Sequence, residues 1–275
     1  MICRLGEMDV YYEEHGVGTP VLMLHGFQID HRVLTGSMEP IFKARPGYRR
    51  LYPDLPGMGQ TKSAPWIKSS DDILNVVMQF IEKTITHEPF LVVGSSYGAY
   101  LARALCAKLR PQIFGVCLIV PLIIPDPQKR SLPKRWLLEE DPRLWKGMTP
   151  EEAKEFRNMA VVATKRTWAR YRADIIPALQ LGDKPFLEKM FKDGYACSWD
   201  VDRVAEPYPF PALILTGRFD DSVGYRDAWQ ILDNFPRGTF VVLDKAGHCL
   251  ESEQERLFNV LIKDWLERCK TNRGR

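Results

Sequence analysis

Residues 92–100 read VVGSSYGAY, where an apolar run gives way to a helical pattern. Upstream, PFLVVG (89–94) is a continuous apolar stretch of strand length, as expected of a strand covered on both faces. Downstream, the spacing predicts a helix from Tyr97 to Lys108. A strand-to-helix turn of this kind lifts one residue above the C-terminal edge of a sheet and holds it in a strained conformation. The residues two before and two after it must be small, because strand and helix backbones approach there. Gly94 and Gly98 stand at those offsets from Ser96, whereas Ser95 would have Val93 and Tyr97, which are too large. Ser96 is therefore the candidate nucleophile.

Similar apolar runs recur at PVLMLHG (20–26), RRLYPDLPG (49–57), IFGVCLIVP (113–121), ALILTGR (212–218) and TFVVLDKAG (239–247), giving six expected buried strands with the run at 89–96. Before them, MICRLGEMDVYYEEHG (1–16) reads as a β-hairpin turning at Gly6 and Glu7. Between them, residues 71–84 bring Ile73, Val76, Val77, Phe80 and Ile81 onto one helical face, with Ser70 available as N-cap. Residues 251–269 do the same with Leu257, Leu261 and Trp265. Strands alternating with helices predict right-handed βαβ units, hence an α/β class with a mostly parallel central sheet flanked by helices. The alternation lapses from Pro121 to Pro211, where helical patterns rich in charge and aromatics stand alone. The clearest, residues 149–171, has Thr149 as N-cap, Pro150 at the first helical position and two glutamates in its first turn. The expected organisation is a core of 1–120 and 211–275 with a helical cap, 121–210, inserted into it. The tail KTNRGR (270–275) is expected to fray.

Composition narrows the function classes. The 275 residues include 38 Lys and Arg against 35 Asp and Glu, a formal charge of +3, which lacks the basic footprint of a nucleic-acid binder. The N-terminus carries no apolar leader, and the longest apolar stretch, Ile113 to Ile124, is too short to span a bilayer, so the cytoplasm is the expected location and no membrane a partner. Six cysteines without C-x-x-C spacing read as reduced apolar fillers. No His/Cys cluster has metal-ligand spacing, so neither metal nor cofactor is expected.

A serine hydroxyl needs a base to take its proton and an acid to orient that base. Of the five histidines, His15 lies in the opening hairpin, His25 and His31 near the third strand and His87 in a helix-strand connection. Only His248 follows the last strand and so reaches the sheet edge that carries Ser96. Asp220 and Asp221 directly follow the penultimate strand, and Asp126 follows the strand at 113–119 as a further rival.

With HGF (25–27), GSSYG (94–98), GRFD (217–220) and GH (247–248) in this order, nearly the whole chain resembles the α/β-hydrolase superfamily, in its capped subgroup. The resemblance implies Ser96 as nucleophile, His248 as base and, by the G-x-x-D spacing, Asp220 as the orienting acid. It also implies Phe27 and Tyr97 as donors of the oxyanion-hole N–H groups. His25 is then read as a brace for the oxyanion loop and His31 as a helix-start residue. The aromatics Trp136, Trp145, Phe156, Trp168 and Tyr171 read as packing of the cap, and Arg157, Lys165, Arg166, Arg170 and Arg172 as a solvated face. A serine at the elbow argues against the dehalogenases and epoxide hydrolases of the superfamily, which use aspartate there. Ser95 and Cys249 depart from the Asn and aromatic residue usual in its carbon-carbon bond hydrolases, and Gln28 replaces the second glycine of H-G-x-G. A small ester or related acyl substrate is thus the first expectation, cleavage of a vinylogous diketo acid the second, and a non-catalytic ligand-binding protein the reading from another class. The expected partner is a small-molecule substrate, with a homodimer left open.

Overall fold

In the computed structural model, which describes residues 1–272, eight strands form one sheet. They are β1 (Ile2–Leu5), β2 (Met8–His15), β3 (Gly18–Leu24), β4 (Gly47–Pro53), β5 (Phe90–Ser95), β6 (Ile113–Ile119), β9 (Ala212–Gly217) and β10 (Gly238–Leu243), while β7 (Glu139–Glu140) and β8 (Val162–Ala163) pair apart from them. The order is β1-β2-β4-β3-β5-β6-β9-β10, antiparallel for the first two pairings and parallel thereafter. The sequence-predicted hairpin and α/β class are both present. Every residue of β5 and β9 is buried, which is why these runs show no polar alternation. β10 departs from the expectation of a sixth buried strand. It closes the sheet as an edge and stays mostly half-exposed, with Trp229 packed edge-on against Phe240.

Helices α1 (Arg32–Phe42), α2 (Ser70–Thr84), α3 (Tyr97–Lys108), α8 (Arg226–Trp229), α9 (Leu250–Glu253) and α10 (Glu255–Asn272) accompany the sheet. α2 buries the five apolar residues expected of it, but its N-cap is Ser69 in a capping box with Asp72. Ser70 instead turns inward, its hydroxyl 2.7 Å from Tyr97 Oη and donating to the Tyr195 carbonyl at 2.8 Å. The last helical pattern is broken at Gln254 into α9 and α10, so the buried face of α10 is Phe258, Ile262, Trp265, Leu266 and Cys269, while Leu257 is exposed. α10 continues through Asn272, and the rest of the tail expected to fray lies outside the described residues. All six cysteines are free and five are buried, as fillers should be.

The chain between β6 and β9 carries α4 (Pro150–Met159), α5 (Lys165–Arg170), α6 (Ile176–Leu181) and α7 (Lys184–Lys189), with wide π turns at 171–175 and 190–194. Residues 149–171 are therefore two helices, not one. Thr149 and Thr164 each cap a helix, and the short strand β8 (Val162–Ala163) lies between them. Phe156 and Tyr171 anchor a small core of this insert, with Trp145 and Trp168 packed partly buried against it, whereas Trp136 is 51% exposed. The basic residues are not a uniformly solvated face. Arg166 donates to Glu255 and the Ser252 carbonyl, and Arg170 to Asp174 and the Gly36 carbonyl, tying this segment to α1, α9 and α10.

Candidate active site

The C-terminal ends of β3, β5, β9 and β10 lie on one edge of the sheet, because these strands run parallel. At the end of β5 the chain turns sharply into α3, and Ser96 at the apex adopts φ 53° and ψ −112°, outside the ordinary regions for an L-residue. Such a conformation costs about 1–3 kcal/mol and persists only where its surroundings over-determine it. Here Ser96 N donates to the Ile119 carbonyl (2.9 Å), and its own carbonyl accepts from Ala99, Tyr100 and Leu122 N–H groups at 3.0–3.2 Å. The flanking glycines are needed for space. A Cβ on Gly94 would lie 2.3 Å from the Gly98 carbonyl oxygen, and one on Gly98 only 2.0 Å from that of Leu24.

His248, in the loop after β10, brings Nε2 to 3.1 Å from Ser96 Oγ and Nδ1 to 2.9 Å from Asp220 Oδ2. Asp220 is fully buried, and its other oxygen accepts the N–H groups of Ser222 (2.9 Å) and Val223 (3.1 Å). Its carboxylate is therefore fixed before it meets the imidazole. Burial pushes the His248 pKa down, but the charge and hydrogen bond of Asp220, joined by Glu251 and Asp221, outweigh it and carry the group above its ordinary value. The two rival acids lie elsewhere. Asp221 pairs with Arg135 at 3.3 Å, and Asp126 caps the short turn at 127–129 and pairs with Lys129 at 3.3 Å.

Phe27 follows the end of β3, and Tyr97 is the first residue of α3. Among the described residues neither backbone N–H has a hydrogen-bond acceptor, which leaves two donors beside Ser96. His25 braces this loop as expected: it is buried, Nε2 accepts the Leu55 N–H (2.9 Å), and Nδ1 therefore carries the proton and donates to the Gly26 carbonyl (2.8 Å). Burial lowers its pKa and keeps it neutral. Gly26 packs tightly on the serine, since a Cβ there would lie 3.3 Å from Ser96 Cβ. Gln28 takes a left-handed φ of 69° and donates its N–H to Met58 Sδ at 3.3 Å. His31 is the N-cap of α1 and holds Asp54 through its Nδ1 (2.7 Å) and backbone N–H (3.0 Å). Asp30, His31 and Asp54 form a close, buried cluster, but Asp54 is engaged by His31 and the Gln60 N–H, and Asp30 by Arg32.

Ser96 and His248 open into a cavity of about 350 Å³, roofed from the insert by Met159, Ile175, Leu179, Phe191 and Tyr195. Two charged side chains in its wall, Arg130 and Glu251, are not singled out by the sequence. Arg130 donates to the carbonyls of Ile124, Pro125 and Ser222, and so holds the loop after Asp220 against the chain leaving β6. Glu251 and Glu253 sit three and five residues after His248 in GHCLESE, a spacing that a solvent-facing helical start would share. Glu253 is buried. Its Oε2 accepts the Gly247 N–H (2.6 Å), and its Oε1 the N–H groups of Val161 (2.6 Å) and Val162 (3.2 Å).

Comparison with known proteins agrees with the fold. A family model described as the alpha/beta hydrolase fold matches residues 19–253. Among solved structures, an alpha/beta superfamily hydrolase from Oenococcus oeni PSU-1 superposes with a TM-score of 0.89 at 29% identity, covering 98% of this chain and 99% of that one. A pimeloyl-(acyl-carrier protein) methyl ester esterase of Legionella pneumophila (strain Paris) is 21% identical over 94% of this chain and all of its own. A 2-hydroxy-6-oxononadienedioate/2-hydroxy-6-oxononatrienedioate hydrolase of Burkholderia vietnamiensis (strain G4 / LMG 22486) is 24% identical over 95% of this chain and 92% of its own.

Proposed function

The chain belongs to the α/β hydrolase fold family, and from that premise we propose that it is a serine hydrolase of small carboxylic esters or related acyl substrates. The observation that carries this reading is the continuous hydrogen-bonded line from Ser96 Oγ through both nitrogens of His248 to a buried Asp220. Asp220 holds the proton of the neutral imidazole on Nδ1, which leaves Nε2 free to take the proton of Ser96 as Oγ attacks the acyl carbon. The oxyanion formed in that step rests on the N–H groups of Phe27 and Tyr97, the latter strengthened by the N-terminal dipole of α3. The imidazolium then gives its proton to the departing alcohol. A water, activated by the same Nε2, attacks the acyl-serine and releases the acid.

In this reading the insert is a cap whose side chains bound the acyl and alcohol groups, and the partner is a small molecule, with no nucleic acid or membrane. A cytoplasmic site of action is the accompanying proposal, supported in that no helix among the described residues is long and apolar enough to cross a membrane. The ester reading is preferred to carbon-carbon cleavage because Ser95 and Cys249 stand where that chemistry usually has Asn and an aromatic side chain.

A fluorophosphonate probe tests the proposal. Wild type is expected to label and Ser96→Ala not to, and Ser96→Ala is expected to lose turnover of p-nitrophenyl esters while keeping its fold. Absence of labelling in the wild type favours a non-catalytic binder, and turnover of a vinylogous diketo acid in preference to every ester would replace the substrate class.

A further inference from the structure

Glu251 is 8% exposed, and neither of its carboxyl oxygens has a hydrogen bond to another residue among the described residues, Oε2 being wholly occluded. Buried carboxyls are normally satisfied, and one left without partners costs stability, so the residue calls for a physical reason. Its surroundings do not supply one. Behind it lies a hollow of about 20 Å³, with which the catalytic cavity shares a wall of Val33, Met159, Ile175, Cys249 and Glu251. The thiol of Cys249 turns to Met159 Sδ (3.3 Å), and the guanidinium of Arg170, which lines the hollow, is occupied by Asp174 (2.7 Å) and the Gly36 carbonyl. Glu253, two residues on, is fully engaged with three backbone N–H groups. Arg130, the other charged group in the cavity wall, is satisfied by three main-chain carbonyls. Glu251 is thus the carboxyl in the wall for which no other residue provides a hydrogen bond.

We propose that Glu251 determines specificity by accepting a hydrogen bond from a donor group, a hydroxyl or an N–H, carried by the ester close to its scissile bond. This rests on the reading of the Ser96 site as an ester hydrolase and deepens it. An apolar wall admits donor-bearing and donor-free esters alike. A buried acceptor that no other residue pairs discriminates against the ester that lacks the donor.

The test is a ratio of kcat/KM within isosteric pairs that exchange a hydroxyl for a methyl group. One pair, 2-hydroxyethyl butyrate and propyl butyrate, places the donor on the alcohol side; the other, methyl 3-hydroxypropionate and methyl butyrate, places it on the acyl side. At pH 8, where the Glu251 carboxyl is ionised, wild type is expected to favour the hydroxylated member of one pair by about 10- to 100-fold, the range of a hydrogen bond to a charged group. Glu251→Leu should bring that ratio to within about threefold of one, and Glu251→Gln, an acceptor without charge, should fall between. Ratios near one for both pairs in the wild type overturn the proposal. So does a ratio that survives in the Leu variant or, should that variant not fold, one unchanged in the Gln variant. An equal loss for both members of a pair would mean that Glu251 acts through His248 alone, and also overturns it. Failure of wild type to react with the fluorophosphonate probe is a separate result, which removes the hydrolase reading itself.

Discussion

Replacing Glu251 by Gln should stabilise the protein at pH 8 and leave it nearly unchanged at pH 4.5. Burial pushes the carboxyl up from its ordinary 4.5 to about 7; its own backbone N–H and the charges of His248 and Arg170 pull it down, and Glu253 pushes it further up. The native state therefore binds a proton that the unfolded chain has already released between those values, so this group's contribution to stability falls as pH rises from about 4.5 to about 7. The interval corresponds to about 3 kcal/mol at roughly 1.4 kcal/mol per unit. Gln carries no titrating proton and escapes that loss. Asp174, held near 6 by burial, titrates in the same range but is present in both proteins and cancels in the difference. Urea denaturation of both proteins at pH 4.5, 6 and 8 measures the effect. The advantage of Glu251→Gln over wild type should grow across the series by about 2–3 kcal/mol, a shift in melting temperature of roughly 5–10 °C for a chain of this size. A difference that does not change with pH, or a variant that is the less stable at pH 8, would refute the claim that this carboxyl is ionised against its surroundings.

Asp220→Asn, isosteric but unable to hold the imidazole proton on Nδ1, should lower kcat by about 10⁴ with little change in KM, while Asp221→Asn stays within about threefold of wild type; the reverse pattern in a steady-state ester assay would exchange the two roles. The plot of kcat/KM against pH should rise along one limb whose midpoint lies above 6.5, because His248 must be neutral to act as base and its pKa is raised in the folded protein. A midpoint below 6.5 would count against that environment. Gly98→Ala forces a Cβ to within 2.0 Å of the Leu24 carbonyl oxygen, so it should cost several kcal/mol of stability, on the order of 2–4, and depress activity with it. Thermal denaturation checks the first effect, and a variant as stable as wild type would mean that the elbow has more room than its backbone spacing allows.

The elbow is readable in the sequence because its constraint is local: two glycines, one apolar run and one helical pattern lie within twenty residues. Ser96, His248 and Asp220 can be selected from their positions after successive parallel strands, and they lie within hydrogen-bonding reach of one another. The alternative Ser95 falls away by size of neighbours alone. What the sequence conceals is where a polar residue abandons the solvent. Glu253 looks like the exposed first turn of a long helix, yet it turns inward to take three N–H groups, and this one side chain accompanies two misread elements. The final helix restarts at Glu255, beyond it, and buries Trp265 as expected but Phe258 and Ile262 in place of Leu257 and Leu261. Glu253 also satisfies Val161 and Val162 where the expected long helix between 149 and 171 opens into an extended link. Ser70 is misread in a similar way, since a serine at a helix start looks like a cap until a buried phenol claims its hydroxyl. Glu251 carries no signal in the sequence at all, because its distinction is that no other residue among those described hydrogen-bonds its carboxyl.

The grip of Glu253 also bears on how this scaffold can be re-engineered. One carboxylate holds the backbone immediately before His248 and the extended link of the insert at the same time, so the two segments are a single assembled part. A chimera that imports the insert of another hydrolase, however well its helices pack, inherits a glutamate whose two former N–H partners have moved, and strands a buried charge beside the residue meant to serve as base. Transplants should therefore be cut outside residues 160–163 and keep that link with Glu253, so that new walls can be built around the pocket without loosening the loop that His248 stands on.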